Sequence, residues 1–284
     1  MQRKSATLLG IVVLLFLTSP ANSKDTSEEF SIISYNTHGL PSFITHDDTP
    51  ARLKAINPYL VKYDVVLIQE NFSYPDLLTR NSNSIFFGNP SRFSFLQYIL
   101  KPICGSCGSG LVVINNKIDA TTLDTGHRSF GNICTGWFLD SYNCFVTKGF
   151  MFVHLLFRSG ENIYVYNLHL NSGGNNLAHK VRINQLDILI RDINQRVRSE
   201  NGLIIGGDFN ERPEDLKWFL DSLKLKNSFE INARSQEYHK YIDNLFYRSG
   251  SRTIITPLAG GDAKEIPNLS DHRPIFSTYR VEIK

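Results

Sequence analysis

Several short stretches of this chain set a side chain that can do chemistry at the edge of an apolar run. Asn36 closes FSIISYN, Glu70 closes DVVLIQE, and His169 and Asn171 lie at the end of IYVYNLHLN. Asp208 and Asn210 follow the two glycines of GLIIGGDFN, Asp243 precedes NLFY, and Asp271 and His272 stand just before the last apolar stretch in LSDHRPIF. Taken singly, each fits an ordinary turn residue or a solvated strand end. Taken together they form a chemical set. Asp, Glu and Asn supply hard oxygen ligands of the kind Mg²⁺ prefers, with Mn²⁺ or another divalent cation as an alternative. Two histidines titrate near neutral pH, and a carboxylate beside one of them would fix its tautomer and steady its protonated form. No G-x-S-x-G or H-E-x-x-H segment is present, and no cysteine or serine sits in a nucleophile setting. The reaction this set suits is hydrolysis of a phosphate ester by an activated water.

Strands and helices must carry these residues. Apolar runs of strand length occur at 30–36, 64–70, 110–114, 149–157, 163–170, 203–207, 241–247 and 274–281. Apolar residues at helical spacing between 176 and 198 predict a long amphipathic helix, and shorter helices are expected over 51–61, 74–79 and 214–223. The result is an α/β protein of at least eight strands with no repeat and no interdomain linker. Ligand sites in such sheets gather at strand ends, where the polar residues fall. Gly206 and Gly207 are then expected to make room for a substrate or metal against the backbone.

Length and composition narrow the setting. A chain of 284 residues with 42% apolar content can bury one large core. Residues 1–23 read as a secretory signal peptide: Arg3 and Lys4, then the run LLGIVVLLFL, then small residues at Ala21-Asn22-Ser23. An uncleaved anchor is the alternative. No later stretch is long and apolar enough to span a bilayer, so a secreted or periplasmic domain over 24–284, without a transmembrane segment and monomeric, is expected. The formal charge is +3; Arg3 and Lys4 carry two of those charges with no acid beside them, leaving residues 24–284 at +1. That balance advertises no broad nucleic-acid surface. Export makes disulfides the default for Cys104, Cys107, Cys134 and Cys144. Of the three connectivities, Cys104–Cys107 with Cys134–Cys144 closes the shortest loops.

SYNTHGLP, VVLIQENF, NLHLNSG, GGDFN, YIDNLF and LSDHRPIF occur in that order and resemble the endonuclease/exonuclease/phosphatase superfamily, the fold of deoxyribonuclease I. The resemblance implies a four-layer α/β sandwich, two packed mixed β-sheets flanked by helices, and Mg²⁺-dependent cleavage of a phosphate ester in a lipid headgroup or a nucleic acid. It implies Glu70 as principal metal ligand with Asn36 beside it and Asp271 completing the carboxylates. His169 would contact the scissile phosphate, while Asp208 and Asn210 position the attacking water. His272, oriented by Asp243, would be the general base, with Asp208 as the alternative taker of the water's proton. CFVTKGFMFV resembles the KG segment of secreted and neutral sphingomyelinases, which would place Lys148 near the phosphate, with Asn171 also toward the substrate. One departure is Asn143, where those enzymes carry an acid. A secreted deoxyribonuclease-type endonuclease is the alternative, and a catalytically inactive binding module on the same fold is the alternative of another class.

Overall fold

The computed structural model describes residues 27–80, 82–88, 108–117, 119–131, 146–229 and 241–284. The expected signal peptide, all four cysteines and Asn143 lie outside the described residues.

Twelve strands form two six-stranded sheets among the described residues. The first contains β1 (Ser27–Asn36), β2 (Val65–Gln69), β3 (Ser84–Gly88), β4 (Leu111–Asn115), β11 (Thr253–Asp262) and β12 (Ile275–Ile283), in the order β11-β12-β1-β2-β4-β3. The second contains β5 (Ala120–Ser129), β6 (Gly149–Phe157), β7 (Asn162–His169), β8 (Gly202–Asp208), β9 (Lys226–Asn227) and β10 (Asp243–Arg248), in the order β5-β6-β7-β8-β10-β9. Each sheet is mixed. The parallel pairs β1–β2 and β7–β8 are joined through helices, and the other pairs are antiparallel. Helices α1 (Ser42–Thr45), α2 (Thr49–Leu60) and α3 (Pro75–Leu78) belong to the first half, α4 (Asn176–Arg196) and α5 (Lys217–Leu223) to the second. The expected sandwich is therefore present.

The period-2 alternation of the strands creates the layers. Phe30 and Ile32 of β1, Val65 and Leu67 of β2, Val153 and Leu155 of β6, and Ile163 and Val165 of β7 share the core between the sheets. Their sequence neighbours face outward. Ile33, Tyr35, Val66 and Ile68 pack with Leu53, Ile56 and Leu60 of α2. Tyr166, Leu168, Leu203 and Ile205 pack with Leu186, Leu189 and Ile193 of α4 and Phe219 of α5. Strands covered on both faces, such as β2, β4 and β8, read as continuous apolar runs, while β12 reads by its alternation of buried and partly exposed residues.

The four strands that the sequence did not reveal are β3, β5, β9 and β11, the two edges of each sheet. β5 carries ATTLDTGHRS, largely exposed, and β11 contains Pro257 next to a register shift. Edge strands tolerate proline, polar residues and bulges because one side of their ladder faces away from the sheet. The short α1 was also not anticipated.

Candidate active site

Side-chain parity brings the chemistry together. In β7, Ile163, Val165, Asn167 and His169 point between the sheets, and in β8 Ile204 and Asp208 do the same. Asn36 shares the inward face of β1 with Ile32, and Asp243 shares that of β10 with Leu245. The register aligns His169 with Asp208 and Asp208 with Asp243, so these side chains crown the inter-sheet core at one end. Beneath them lies a buried polar layer that the sequence did not announce. Gln69 donates to Asn167 at 2.7 Å, and Asn167 donates to the carbonyls of Ile68 and Val112 at 2.9 Å, bridging the sheets. Parity with His169 was the available signal for Asn167.

The two glycines have a different use from the one expected. A Cβ on Gly206 would lie 2.6 Å from Leu67 Cδ1 of the opposite sheet, and one on Gly207 would lie 2.1 Å from the Leu168 carbonyl oxygen. Gly207 has φ +141°. The glycines therefore admit neighbouring protein and set the backbone that delivers Asp208, rather than making room for a ligand.

Asp208 is the hub. Its Oδ2 accepts from Asn36 Nδ2 at 3.0 Å and stands 3.4 Å from His169 Nε2 and 3.9 Å from His272 Nε2. Its Oδ1 accepts from the Asn210 N–H at 2.9 Å. His272 Nδ1 pairs with Asp243 Oδ2 at 2.6 Å, the carboxylate–imidazole contact that the sequence predicted. Lys148 is buried, and its Nζ lies 2.5 Å from His169 Nε2. Asn210 donates its side-chain amide to Leu170 O at 3.1 Å. Asn171 is buried in the adjoining loop, where its side-chain amide donates to Ser172 O at 3.0 Å. Asp271 stands at the rim, 57% exposed, 3.7 Å from His38 Nδ1.

Burial and neighbouring charges set the protonation states. Burial, reinforced by the Asp243 carboxylate, pushes Asp208 up to about 6, against the pull of His272 and Lys148. Burial opposes charge on His272, but Asp243 first, then Asp208 and Asp271, outweigh it and raise the imidazole to about 10. Burial, with Lys148 and His272 adding to it, holds His169 well below its usual value. Burial lowers Lys148 to about 8, although Glu70 and Asp208 draw it the other way. At neutral pH His169 is thus a neutral acceptor for the Lys148 ammonium, and His272 is an imidazolium.

Glu70 fits a divalent cation. It has φ +58°, an uncommon conformation that turns it off the end of β2. Its Oε1 lies 3.7 Å from His169 Nε2, and no hydrogen bond among the described residues takes up its carboxylate. A hard oxygen donor of this kind suits Mg²⁺; Asn36 Oδ1, the other expected ligand atom, accepts from the His38 N–H at 3.1 Å. Asp208, Asp243 and His272 also lie close enough to share an ion. They are already engaged with one another, and the 2.6 Å Asp243–His272 bond marks that group as proton-handling chemistry.

A buried carboxylate hub, two imidazoles and the Glu70 carboxylate thus meet at one end of the two-sheet sandwich. The chain belongs to the Endonuclease/Exonuclease/phosphatase family, whose model matches residues 33–272. It is 27% identical over 279 residues to the sphingomyelinases of Mycobacterium bovis and Mycobacterium tuberculosis, covering 87% of this chain and 52% of theirs. It thus spans about half the length of those relatives. Among solved structures it resembles D. rerio TDP2 complexed with single strand DNA product, at TM-score 0.60 and 20% identity over 88% of this chain and 98% of that one. It also resembles a Staphylococcus aureus beta toxin mutant with bound magnesium ions, at TM-score 0.60 and 15% identity over 88% and 99%. At such identities the structures show the shared fold.

Proposed function

We propose that the chain is a secreted, Mg²⁺-dependent phosphodiesterase of sphingomyelinase type that releases a phosphorylated headgroup from a lipid. The observation that carries the chemistry is the convergence of Asn36, His169, Asn210 and His272 on Asp208. The lipid substrate is supported by the similarity to the mycobacterial sphingomyelinases and by the buried place of Lys148 beside His169. Residues 1–23 support export.

Asp208, a buried base raised toward neutrality, takes the proton of a water that Asn210 helps to orient. His272, held by Asp243, is already protonated and supplies positive charge to the phosphate oxygens as the transition state forms. Of the two candidate bases, Asp208 and His272, this reading takes Asp208. Lys148 adds a second positive charge and pins His169 in its neutral form, while Asn171, bonded to Ser172 and Gln185, shapes the loop after β7. Glu70 and Asn36, with Asp271 on the solvent side, would hold the divalent cation, which supplies Lewis-acid withdrawal of charge from the phosphate.

The test is a substrate panel on the purified protein, with and without EDTA: sphingomyelin liposomes, plasmid DNA and inositol phosphates. EDTA-sensitive release of phosphocholine is the expected result. Nicking of DNA without phosphocholine release would replace this assignment with the nuclease one. No hydrolysis of any of the three would leave a binding module on the same fold.

A further inference from the structure

Two arginines outside the catalytic set are wired in the same way. Arg52 of α2 gives its Nε to Asp47 Oδ2 at 2.8 Å, its Nη1 to Thr37 O at 2.6 Å and Leu269 O at 2.9 Å, and its Nη2 to His38 O at 2.7 Å. Arg182 of α4 gives its Nε to Glu211 Oε1 at 2.7 Å and its Nη1 to Asn171 O at 2.9 Å and Gly173 O at 2.8 Å. Their side chains are 12% and 5% exposed. Each occupies the helix that links a parallel strand pair, β1–α2–β2 in one sheet and β7–α4–β8 in the other.

The carbonyls they hold adjoin the chemistry. Thr37 and His38 follow Asn36, and Leu269 lies just before Asp271 and His272. Asn171 and Gly173 follow His169, and Glu211 follows Asn210 directly. We infer that Arg52 and Arg182 are paired positioning residues, each fastening two catalytic loops to one guanidinium so that the halves of the site keep a fixed spacing. Arg52 ties the loop after Asn36 to the segment carrying His272, and Arg182 ties the loop after His169 to the segment carrying Asp208 and Asn210. The chemistry requires arginine. Only the planar fork, with five donors in fixed directions, reaches a carboxylate and two or three carbonyls at once, whereas a lysine offers one ammonium. A buried guanidinium without its carboxylate would be costly, which explains Asp47 and Glu211. Gln185, one turn along α4 from Arg182, accepts from the Asn171 N–H at 2.9 Å and strengthens the same loop.

This inference rests on the phosphodiesterase assignment for its catalytic consequence but not for its mechanical one, so two readouts are needed. Arg182→Lys keeps the ion pair with Glu211 and loses the fork, and Arg52→Lys does the same beside Asp47. Each should lower kcat for phosphocholine release by roughly 10²-fold, the scale of a misplacement near 1 Å, with KM within about twofold. Hydrogen exchange should rise together in both loops that the altered arginine joins (170–175 with 209–213 for Arg182, 37–40 with 268–272 for Arg52) while β6 stays protected. Arg182→Ala should recover activity with added guanidinium, and Arg182→Lys should not. A kcat per folded molecule equal to the wild type, or exchange that stays slow in both loops, would overturn the inference. If the wild type hydrolyses no phosphodiester, the functional assignment falls and the exchange measurement alone decides whether the arginines fasten the loops. Should Arg182→Ala fail to fold, the lysine variants carry the test.

Discussion

Glu70 and His272 divide the site's work by charge. In the proposed reading Glu70 gathers a cation; no hydrogen bond among the described residues takes up its carboxylate, so Glu70→Gln keeps the shape and removes the attraction. Turnover should fall by orders of magnitude and the Mg²⁺ needed for half-activity should rise, while the melting temperature holds. Near-normal turnover at low Mg²⁺ would refute the metal assignment. The protonation pattern gives a signed pH profile. Asp208 must be ionised to accept a proton, so kcat should rise as pH climbs through about 6. Lys148 must stay protonated, so kcat should fall as pH climbs through about 8, well before His272 at about 10. Lys148→Arg should move the basic limb upward, because arginine keeps its charge. His272→Gln should lower kcat roughly 10²–10⁴-fold yet keep an acidic limb, moved upward because the imidazolium no longer draws the Asp208 pKa down. An acidic limb that vanished with His272 would restore that residue as the base.

At the scale of elements, the position of Asp208 depends on how β8 packs against β7 and β10. Gly207 has the Leu168 carbonyl where a side chain would go, and it holds a φ that L-residues rarely adopt. Gly207→Ala should therefore destabilise the fold by several kcal/mol, on the order of 3, and disturb Asp208 by shifting β8 from β7. Urea denaturation monitored by tryptophan fluorescence measures the first effect, and kcat per folded molecule measures the second. Unchanged stability would mean that β8 moves freely against β7. The same reasoning explains the long α4. Its N-terminus is capped by the Asn175 side chain, which accepts from Ala178 N at 2.8 Å, and its apolar stripe lies on β7 and β8. The cap fixes the height at which Arg182 meets the loops.

At the scale of the whole molecule, export and the disulfides belong to one proposal. The exported protein should begin near Lys24, and mass spectrometry should find none of its four cysteines alkylatable before reduction. Four free thiols in the native exported protein would refute it. The described helices include none long and apolar enough to cross a membrane. The sequence by itself determined the eight interior strands, the long helix and most of the side chains that meet around Asp208. Strands buried on both faces must be apolar throughout, and a site at their ends must interrupt that run with polar residues. The tertiary structure alone decided the four edge strands, which no second layer forces to be apolar on both faces. It also decided the role of Gly206 and Gly207, since the atoms crowding them belong to Leu67, Leu168 and Leu245 in other strands. The protonation of His272 was equally invisible. Its imidazole carries charge because Asp208 and Asp243, at least 29 residues away in sequence, are brought against it by the packing of two sheets.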